Sequence, residues 1–360
     1  MNVLHINDQR EWGGGEQQTA YLVQVLSAPG QRVYLAAHPD SALLARIHPS
    51  PHLTCVPLAL RGEWDIPSAW GLSRLIVSEN IDIIHAHTGH AHTLACLARR
   101  MAGRGRVIVS RRVAFPPRKN PISRLKYRCP DRYIAISDCV AQALLAFGVS
   151  KSKIAVVHSG IDMQRFTEEP LPRAEFGVPE GVPLLGAVGS LVEAKDHATL
   201  ISAMRILVDT DPLIHLVIAG EGPLRADLEA QILRLGLEDN IQLLGHRTDI
   251  PQLLSALDVF VMSSVSEGLG TSVLDALASS LPVVVTQAGG IPEMIHNEET
   301  GLLVPTGNAE ALAEGILRLL RDGTAAQQMA ERGKALLTEK FTVETMVRGT
   351  VDVYNEVLGD

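Results

Sequence analysis

The sequence predicts an α/β protein built from two parallel sheets, each covered by helices on both faces. Short apolar runs rich in β-branched residues alternate with longer runs of helical periodicity, as parallel strands joined by crossover helices require. The alternation begins near the N-terminus and restarts near residue 184, and 360 residues are enough for about two domains. We therefore expect two Rossmann-like domains that face each other across a cleft.

The predicted elements follow this alternation in order. In the first half, strands are predicted at residues 3–6, 33–36, 81–85, 107–109, 133–136 and 154–157, and helices at residues 17–26, 67–78 and 91–102. In the second half, strands are predicted at residues 184–189, 213–219, 241–244, 258–262 and 282–286. Residues 162–183 are rich in Pro, Glu and Gly, which predicts the joint between the domains. The predicted domains are residues 1–165 and 166–342, and a final helix at 343–358 is expected to pack back on the first domain.

Composition argues against several classes of protein. With 46% hydrophobic and 20% charged residues, the chain can bury sizeable cores, which argues against disorder. No apolar run approaches the roughly 20 residues that span a bilayer, and the N-terminus turns polar too early for a signal peptide. The cysteines, Cys55, Cys96, Cys129 and Cys139, show no Cys-x-x-Cys spacing, which predicts reduced structural thiols in a cytoplasmic protein.

Charge divides along the predicted boundary, from a net +9 in residues 1–165 to −17 in residues 166–360. Twelve cations and one acid lie within residues 99–132, a composition that attracts lipid headgroups, phosphorylated glycans or nucleic acid. Aromatic interleaving is thin and we find no nucleic-acid motif, so a nucleic-acid partner is not expected. Ile122 and Leu125 lie at helical spacing beside these cations, which predicts peripheral contact with a membrane; a solvated helix face is the alternative.

The most informative segment is Ser-Glu-Gly-Leu-Gly-Thr at 266–271, which follows an apolar run typical of a buried strand. Helical spacing begins at Thr271, and the two glycines expose the backbone where a helix N-terminus directs N–H groups towards a phosphate. Glu267 precedes that terminus and Asp275 lies one turn inside the helix, so both carboxylates can bind sugar hydroxyls. The segment predicts a nucleotide-sugar site; the alternative is a helix whose acidic residues only favour its start.

Seven motifs in this order resemble those of the retaining glycosyltransferases of family 4, which have the GT-B fold, over nearly the whole chain. They are Val-Leu-His-Ile at 3–6 with Gly-Gly-Gly-Glu at 13–16, Asp-Ile-Ile-His-Ala-His at 82–87, His-Ser-Gly-Ile-Asp at 158–162, Gly-Ser-Leu-Val-Glu-Ala-Lys at 189–195, Gly-Glu-Gly-Pro at 220–223, the two-carboxylate segment at 267–275, and Gly-Gly-Ile-Pro-Glu at 289–293. The resemblance implies transfer of a sugar from a nucleotide diphosphate, UDP in preference to GDP, with retention of configuration and with no metal or other cofactor.

The resemblance also implies roles for residues of the second domain. Lys195 aligns with the lysine that binds the diphosphate, where a cation stabilises charge on the leaving phosphate. Glu267 aligns with the carboxylate that binds donor-sugar hydroxyls, and Asp275 replaces the ribose-binding glutamate. Ser190 replaces an arginine, so one cation is missing, and Arg247 or the basic first domain is a candidate to supply it. The implied donor-binding set is Gly189, Ser190, Lys195, Arg247, Glu267, Gly268, Leu269, Gly270, Thr271 and Asp275.

In the first domain, the predicted acceptor or cleft residues are Gly14, Gly15, His85, His87, Arg111 and Arg112. The glycines either let the backbone approach a phosphate or an acceptor, or form a turn into a helix. The histidines flank a strand end without zinc spacing, so we interpret them as cleft-lining residues and not as metal ligands. Arg112 stands where many family members carry a histidine, and a guanidinium cannot act as general base but can bind a phosphate or carboxylate through two hydrogen bonds. Glu267, Lys195 and Arg112 are the predicted catalytic residues; a solvated arginine pair is the alternative for the last.

Together these features predict a metal-independent glycosyltransferase acting on a glycan, lipid-linked or phosphorylated acceptor in cell-surface polysaccharide or lipopolysaccharide assembly. We expect it in the cytoplasm, at the inner face of the membrane. A GT-B epimerase or phosphorylase is an alternative, although no pyridoxal-binding lysine context is evident. A dehydrogenase would need a Gly-x-Gly-x-x-Gly fingerprint, which neither Gly189 nor Gly220 begins. A non-catalytic nucleotide-sugar-binding protein remains open because of Ser190 and Asp275.

Overall fold

The computed structural model describes residues 1–47, 50–166 and 170–359, and its contacts divide the chain into two compact units. The first unit comprises Met1–Gly160 with Val343–Asp360, and the second comprises Ile161–Thr342. The boundary therefore lies slightly before the predicted one at 165/166. Part of the predicted joint, residues 167–169, lies outside the described residues.

Within the described residues, the first unit has one parallel sheet in the order β3-β2-β1-β4-β5-β6-β7. The strands are β1 (Asn2–Asn7), β2 (Arg32–Ala37), β3 (Leu53–Pro57), β4 (Ile83–Ala86), β5 (Arg106–Arg111), β6 (Arg132–Ala135) and β7 (Ile154–Val156). The strand order reverses between β1 and β4, and ligands of such sheets bind beyond the carboxyl ends of the strands at this switch point.

The helices of the first unit connect these strands. They are α1 (Gly14–Leu26), α2 (Ala42–Arg46), α3 (Ile66–Ser78), α4 (Gly89–Ala102), α5 (Pro121–Arg128) and α6 (Asp138–Phe147). Several begin at a residue whose side-chain oxygen accepts a backbone N–H of the first turn: Thr88 before α4, Asn120 before α5 and Ser137 before α6. In contrast to its neighbours, α5 has no buried residue.

The second unit repeats the plan with a parallel sheet in the order β10-β9-β8-β11-β12-β13, again within the described residues. Its strands are β8 (Leu184–Val188), β9 (His215–Ala219), β10 (Ile241–Gly245), β11 (Val259–Met262), β12 (Val283–Thr286) and β13 (Leu302–Val304). Its helices are α7 (His197–Thr210), α8 (Arg225–Leu235), α9 (Ile250–Ser255), α10 (Thr271–Ala278), α11 (Ala309–Arg321) and α12 (Gly323–Lys340). Here the order reverses between β8 and β11.

The last helix, α13 (Val343–Leu358), belongs to the first unit. Its residues Val347 and Tyr354 pack into the same apolar core as Leu35 of β2 and Ile83 of β4. Apolar side chains at a spacing of about one or two helical turns lie on one face, which is the face that α13 buries. Among the described residues, every helix is too short or too polar to cross a membrane.

The predicted α/β architecture with two parallel sheets is confirmed, with two strands and the cysteine chemistry as exceptions. The strands β3 and β13 were not predicted; each lies at an edge of its sheet, and β3 has a single buried residue, so its apolar pattern is weak. The prediction of reduced thiols is wrong for one pair: Cys96 of α4 and Cys129 at the end of α5 form a disulfide. The packing of α5 against α4 brings these two cysteines together, and their spacing along the sequence does not reveal this contact.

Candidate functional site

The switch point of the second unit brings together two predicted catalytic residues. Lys195 ends a short 3₁₀ turn after β8, and Glu267 lies in the loop after β11. Lys195 Nζ lies 2.5 Å from Glu267 Oε1, and the Ser264 hydroxyl donates a hydrogen bond to the same oxygen at 2.7 Å. Because both side chains are largely enclosed, this ion pair is screened less than one on the surface.

Glycines allow the close backbone approaches around this pair. A Cβ at Gly289 would lie 1.8 Å from the Glu267 carbonyl oxygen, and Gly289 has a φ of +55°. A Cβ at Gly220 would lie 1.9 Å from the carbonyl oxygen of Gly189. The aliphatic part of Lys195 lies against Gly189, where a side chain would meet it at 3.3 Å. The glycines of three predicted motifs thus let the loops after β9 and β12 pack closely against the two loops of the switch point.

The segment at 266–271, which is predicted to bind a phosphate, has the local backbone form that the sequence predicts. Gly270 precedes α10 with a φ of +94°, a conformation that favours glycine, and Thr271 begins the helix. Leu269 is 1% exposed, and Gly268 is half-buried. Ser190, at the position of the family's arginine, is exposed.

Asp275 lies on the buried face of α10. Its Oδ1 has no hydrogen-bond partner among the described residues, and Arg165 Nη1 approaches this oxygen to 3.8 Å. Burial raises the pKa of Asp275 to about 6, and the positive charge of Arg165 opposes that rise. Sequence reasoning missed Arg165, because nothing local connects it with a helix more than a hundred residues later.

Arg247 is already paired with carboxylates. Its guanidinium donates to Asp249 Oδ1 at 2.8 Å and to Glu175 Oε1 at 2.8 Å, and these bonds raise its pKa. Two carboxylates neutralise the charge that a diphosphate would need. The expectation that Arg247 replaces the missing cation at Ser190 therefore lacks support in its contacts.

The switch point of the first unit contains a cluster of three buried histidines. The parallel register of β1 and β4 places His5 opposite His85, and His87 follows β4 on the same face. His5 Nδ1 and His87 Nε2 share a hydrogen bond of 2.9 Å, while His85 bonds the Tyr354 hydroxyl at 2.6 Å and the Ser110 hydroxyl at 2.8 Å. Sequence reasoning missed His5 and Tyr354; the register of two central strands was the signal that could have found His5.

Burial keeps these histidines neutral. It lowers the pKa of His5 to about 3, and burial together with neighbouring charges lowers the pKa values of His85 and His87 well below the ordinary value. Ligand nitrogens of the three residues lie within 4.8 Å of one another, so this is the group in the described part of the chain that could hold a metal ion. The positive charge of Arg112 lies close enough to lower the pKa values of His85 and His87, and it would also repel a bound cation.

Arg112 packs against the start of α1. A Cβ at Gly15 would meet the Arg112 side chain at 3.4 Å, so the glycine leaves room for the guanidinium arm. Burial lowers the pKa of Arg112 to about 10, and the carboxylate of Glu16 opposes this shift, so the group stays cationic at neutral pH. Its Nε is enclosed and has no hydrogen-bond partner among the described residues. Gly14 and Gly15 form the first turn of α1, whose N-terminus favours anions.

Arg111 points elsewhere. Its guanidinium donates to the Tyr127 hydroxyl at 2.9 Å and to the Phe115 carbonyl at 2.6 Å. Arg112, which follows the end of β5, instead packs against Gly15, so the two arginines contact different groups and do not form one clamp. The structure thus brings Arg112 to the glycines and histidines, and places Arg111 beside α5.

Two family models match the chain in succession. The model described as Glycosyltransferase Family 4 matches residues 12–165, and the model described as Glycosyl transferases group 1 matches residues 169–336. Each range contains the switch point of one unit.

Relatives and solved structures agree with these matches. The chain is 26% identical over 307 residues to the N-acetyl-alpha-D-glucosaminyl L-malate synthase of Bacillus anthracis, covering 82% of this chain and 80% of the relative. It is 25% identical over 315 residues to the UDP-Gal:alpha-D-GlcNAc-diphosphoundecaprenol alpha-1,3-galactosyltransferase of Escherichia coli, covering 82% and 80%. The crystal structure of Anabaena HepE in complex with UDP matches with a TM-score of 0.86 at 22% identity, covering 99% of this chain and all of that one. At this identity the structural likeness shows the fold alone.

Proposed function

Because the chain belongs to the family 4 glycosyltransferases and has the GT-B fold, we propose that it transfers a sugar from a nucleotide diphosphate, UDP in preference to GDP, to a lipid-linked or phosphorylated glycan. The proposed transfer retains the anomeric configuration and needs no metal ion. The acceptor class is supported by the basic first unit and by the diphosphoundecaprenol in the name of the Escherichia coli relative. We place the reaction in cell-envelope glycan assembly, at the cytoplasmic face of the membrane.

The contact between Lys195 and Glu267 carries this proposal. In the proposed complex, the diphosphate lies beside Lys195 and the N-terminus of α10, where positive potential stabilises the charge that develops as the anomeric bond breaks. Glu267 then accepts hydrogen bonds from hydroxyls of the donor sugar and orients it. Without ligand, the two side chains neutralise each other at 2.5 Å, which keeps both charges in place at low cost.

Glu267→Gln tests the role of the carboxylate. We expect turnover to fall by about 10²- to 10³-fold, the scale of losing one preorganised polar group, while UDP binding measured by calorimetry persists. The control is Glu229→Gln. It removes a carboxylate that also forms an ion pair, with Arg225 of α8, and it should leave turnover unchanged. Loss of UDP binding in a folded Glu267→Gln protein would contradict the sugar-binding role.

A second measurement separates the reaction classes. Radiolabelled sugar from a panel of nucleotide sugars should appear in a lipid or glycan acceptor, and it should continue to do so in excess chelator because Lys195 supplies the positive charge. Loss of activity that added metal restores would instead point to His5, His85 and His87 as ligands. UDP binding without any turnover would indicate a non-catalytic binding protein.

A further inference from the structure

Large apolar side chains lie exposed around α5 of the first unit. Trp64, Phe115, Ile122 and Leu125 are 62%, 62%, 64% and 72% exposed, and α5 itself buries no residue. A monomeric protein gains nothing from two aromatic rings and two branched aliphatic chains in water, and such exposure marks an interaction surface when the residues are grouped.

Contacts beneath these side chains show that they are grouped. Lys126 of α5 pairs with Glu63, the neighbour of Trp64, at 2.5 Å. Arg111 bonds both the Phe115 carbonyl and the hydroxyl of Tyr127 on α5. The disulfide from Cys129 to Cys96 fixes the end of α5 to α4. We call the surface formed by Trp64, Phe115, Ile122 and Leu125 the interfacial patch.

The surroundings of the interfacial patch are strongly basic. Arg118, Lys119, Arg124 and Arg128 are exposed, and on α5 the last two lie beside the exposed Ile122 and Leu125. Glu63, the acid adjacent to Trp64 in sequence, pairs with Lys126, and Asp131, the one acid within residues 99–132, pairs with Arg106. The patch therefore presents cations and apolar groups together, with little compensating negative charge.

We propose that the interfacial patch docks on an anionic phospholipid bilayer. Tryptophan and phenylalanine insert at the boundary between headgroups and acyl chains, and arginines between them pair with phosphates. A second copy of this chain would bring two basic surfaces together, and a water-soluble glycan would not require exposed aliphatic chains. The inference deepens the membrane contact proposed above, but lipid binding can be measured without donor or acceptor.

The interfacial patch lies near the edge of the sheet where Arg112 is found, so docking would bring this edge close to the membrane. Phe115 follows the carboxyl end of β5, the same edge of the sheet from which Arg112 reaches the start of α1. A chain docked through this patch would hold that edge near the headgroup layer. The phosphate of a lipid-linked acceptor would then be presented to Arg112 without leaving the membrane.

Sedimentation with vesicles tests the apolar part of the proposal. We expect binding to vesicles of equal parts phosphatidylglycerol and phosphatidylcholine, and weak binding to phosphatidylcholine alone. Leu125→Asp should lower the partition coefficient on the anionic vesicles about tenfold or more, since it removes an apolar side chain and adds a repelled charge. The matched control is Leu233→Asp, which changes an equally exposed leucine on α8 of the second unit and should bind like the parent protein.

Charge reversal tests the electrostatic part. Arg124→Glu with Arg128→Glu should lower binding about tenfold or more, because each cation near an anionic surface contributes about fivefold. Arg234→Glu with Arg321→Glu makes the same change in net charge on exposed helix residues of the second unit and should have little effect. Equal binding to neutral vesicles, equal losses in variant and control, or self-association abolished by Leu125→Asp would each overturn the proposal. UDP binding in the Leu125→Asp protein should be unchanged, so a failure here is distinct from a failure of the transfer function.

Discussion

The two units share one sheet plan but place opposite chemistry at equivalent points. At the β8/β11 switch of the second unit, a lysine and a glutamate pair directly, and each charge is compensated before any ligand binds. At the β1/β4 switch of the first unit, three neutral histidines lie near the half-buried Arg112, whose enclosed Nε has no partner among the described residues. Topology therefore determines where a site lies, whereas the residue types at the strand ends determine which ligand it accepts.

This difference has a physical consequence for ligand binding. In the proposed complex, Lys195 exchanges Glu267 for the diphosphate, so the second unit would bind its anion by replacing one partner with another. Arg112 has the carboxylate of Glu16 nearby, and its Nε has no hydrogen-bond partner within the part of the chain that the structure describes, so an anion could bond this nitrogen without displacing another group. Buried cations without such partners bind anions strongly, because solvation has already been lost. The comparison predicts opposite responses to pH and different responses to mutation.

The largest expected effect is loss of stability of the first unit in acid. An unfolded histidine has a pKa near 6.5, and burial lowers the pKa of His5 to about 3, so the folded state is favoured above pH 6.5 and loses this advantage as the pH falls. His5 alone accounts for a loss on the order of 3 kcal/mol between pH 6.5 and pH 4. His85 and His87 act in the same direction.

Intrinsic fluorescence can follow this unit alone, since the chain's three tryptophans, Trp12, Trp64 and Trp70, all lie in it. Urea unfolding at pH 7 and at pH 4.5 should give a clearly smaller free energy at the lower pH. His5→Gln should reduce the difference, and His52→Gln, a histidine outside the cluster, should not. An unfolding free energy that is equal at both pH values would contradict the assignment of three buried neutral histidines.

One residue of the second unit, Asp275, should make stability depend on pH in the opposite direction. Burial raises the pKa of Asp275 to about 6, above its unfolded value of 3.8, so its contribution to stability is present below pH 3.8 and is lost as the pH rises through 6. Asp275→Asn removes a buried charge at pH 7.5 and should stabilise the unit by up to about 3 kcal/mol there, with little effect near pH 4.

Hydrogen exchange of peptides from α10 can measure this effect locally. Protection should increase in Asp275→Asn at pH 7.5, whereas Asp209→Asn, an exposed carboxylate paired with Arg205, should leave it unchanged. Lower protection in Asp275→Asn at both pH values would mean that the carboxylate makes a stabilising interaction with Arg165 that exceeds its burial cost.

The sequence predicted most of what lies along single strands and turns. The βα alternation, the start of α10 at Thr271 and the loop glycines depend on local patterns, so they could be predicted from residues near one another. What it missed depends on contacts between distant segments. His5 meets His87 only through the β1/β4 register, and Tyr354 reaches His85 from the last helix.

Charges were the least predictable part of the candidate site. Arg247 follows a strand end in the donor-binding half, yet Asp249 and Glu175 already engage it. Arg111 and Arg112 are adjacent in sequence but contact different groups: Arg111, the last residue of β5, bonds Tyr127, whereas Arg112 packs against Gly15. A motif indicates which residue types are present; it does not show which partners they already have.

The smallest predicted effect would assign a partner to Arg112. If Arg112 binds the acceptor's anionic group, Arg112→Ala should raise the acceptor's KM about tenfold, which is about 1.4 kcal/mol, and leave the donor's Kd nearly unchanged. Arg112→Lys keeps the charge but cannot form two parallel hydrogen bonds, so its acceptor KM should lie between those of the parent protein and Arg112→Ala. Arg111→Ala is the matched neighbour, and its guanidinium is engaged by Tyr127 and Phe115, so its effect on acceptor KM in solution should be smaller. Weaker donor binding with unaltered acceptor KM in Arg112→Ala would instead mean that this arginine supplies the cation absent at Ser190.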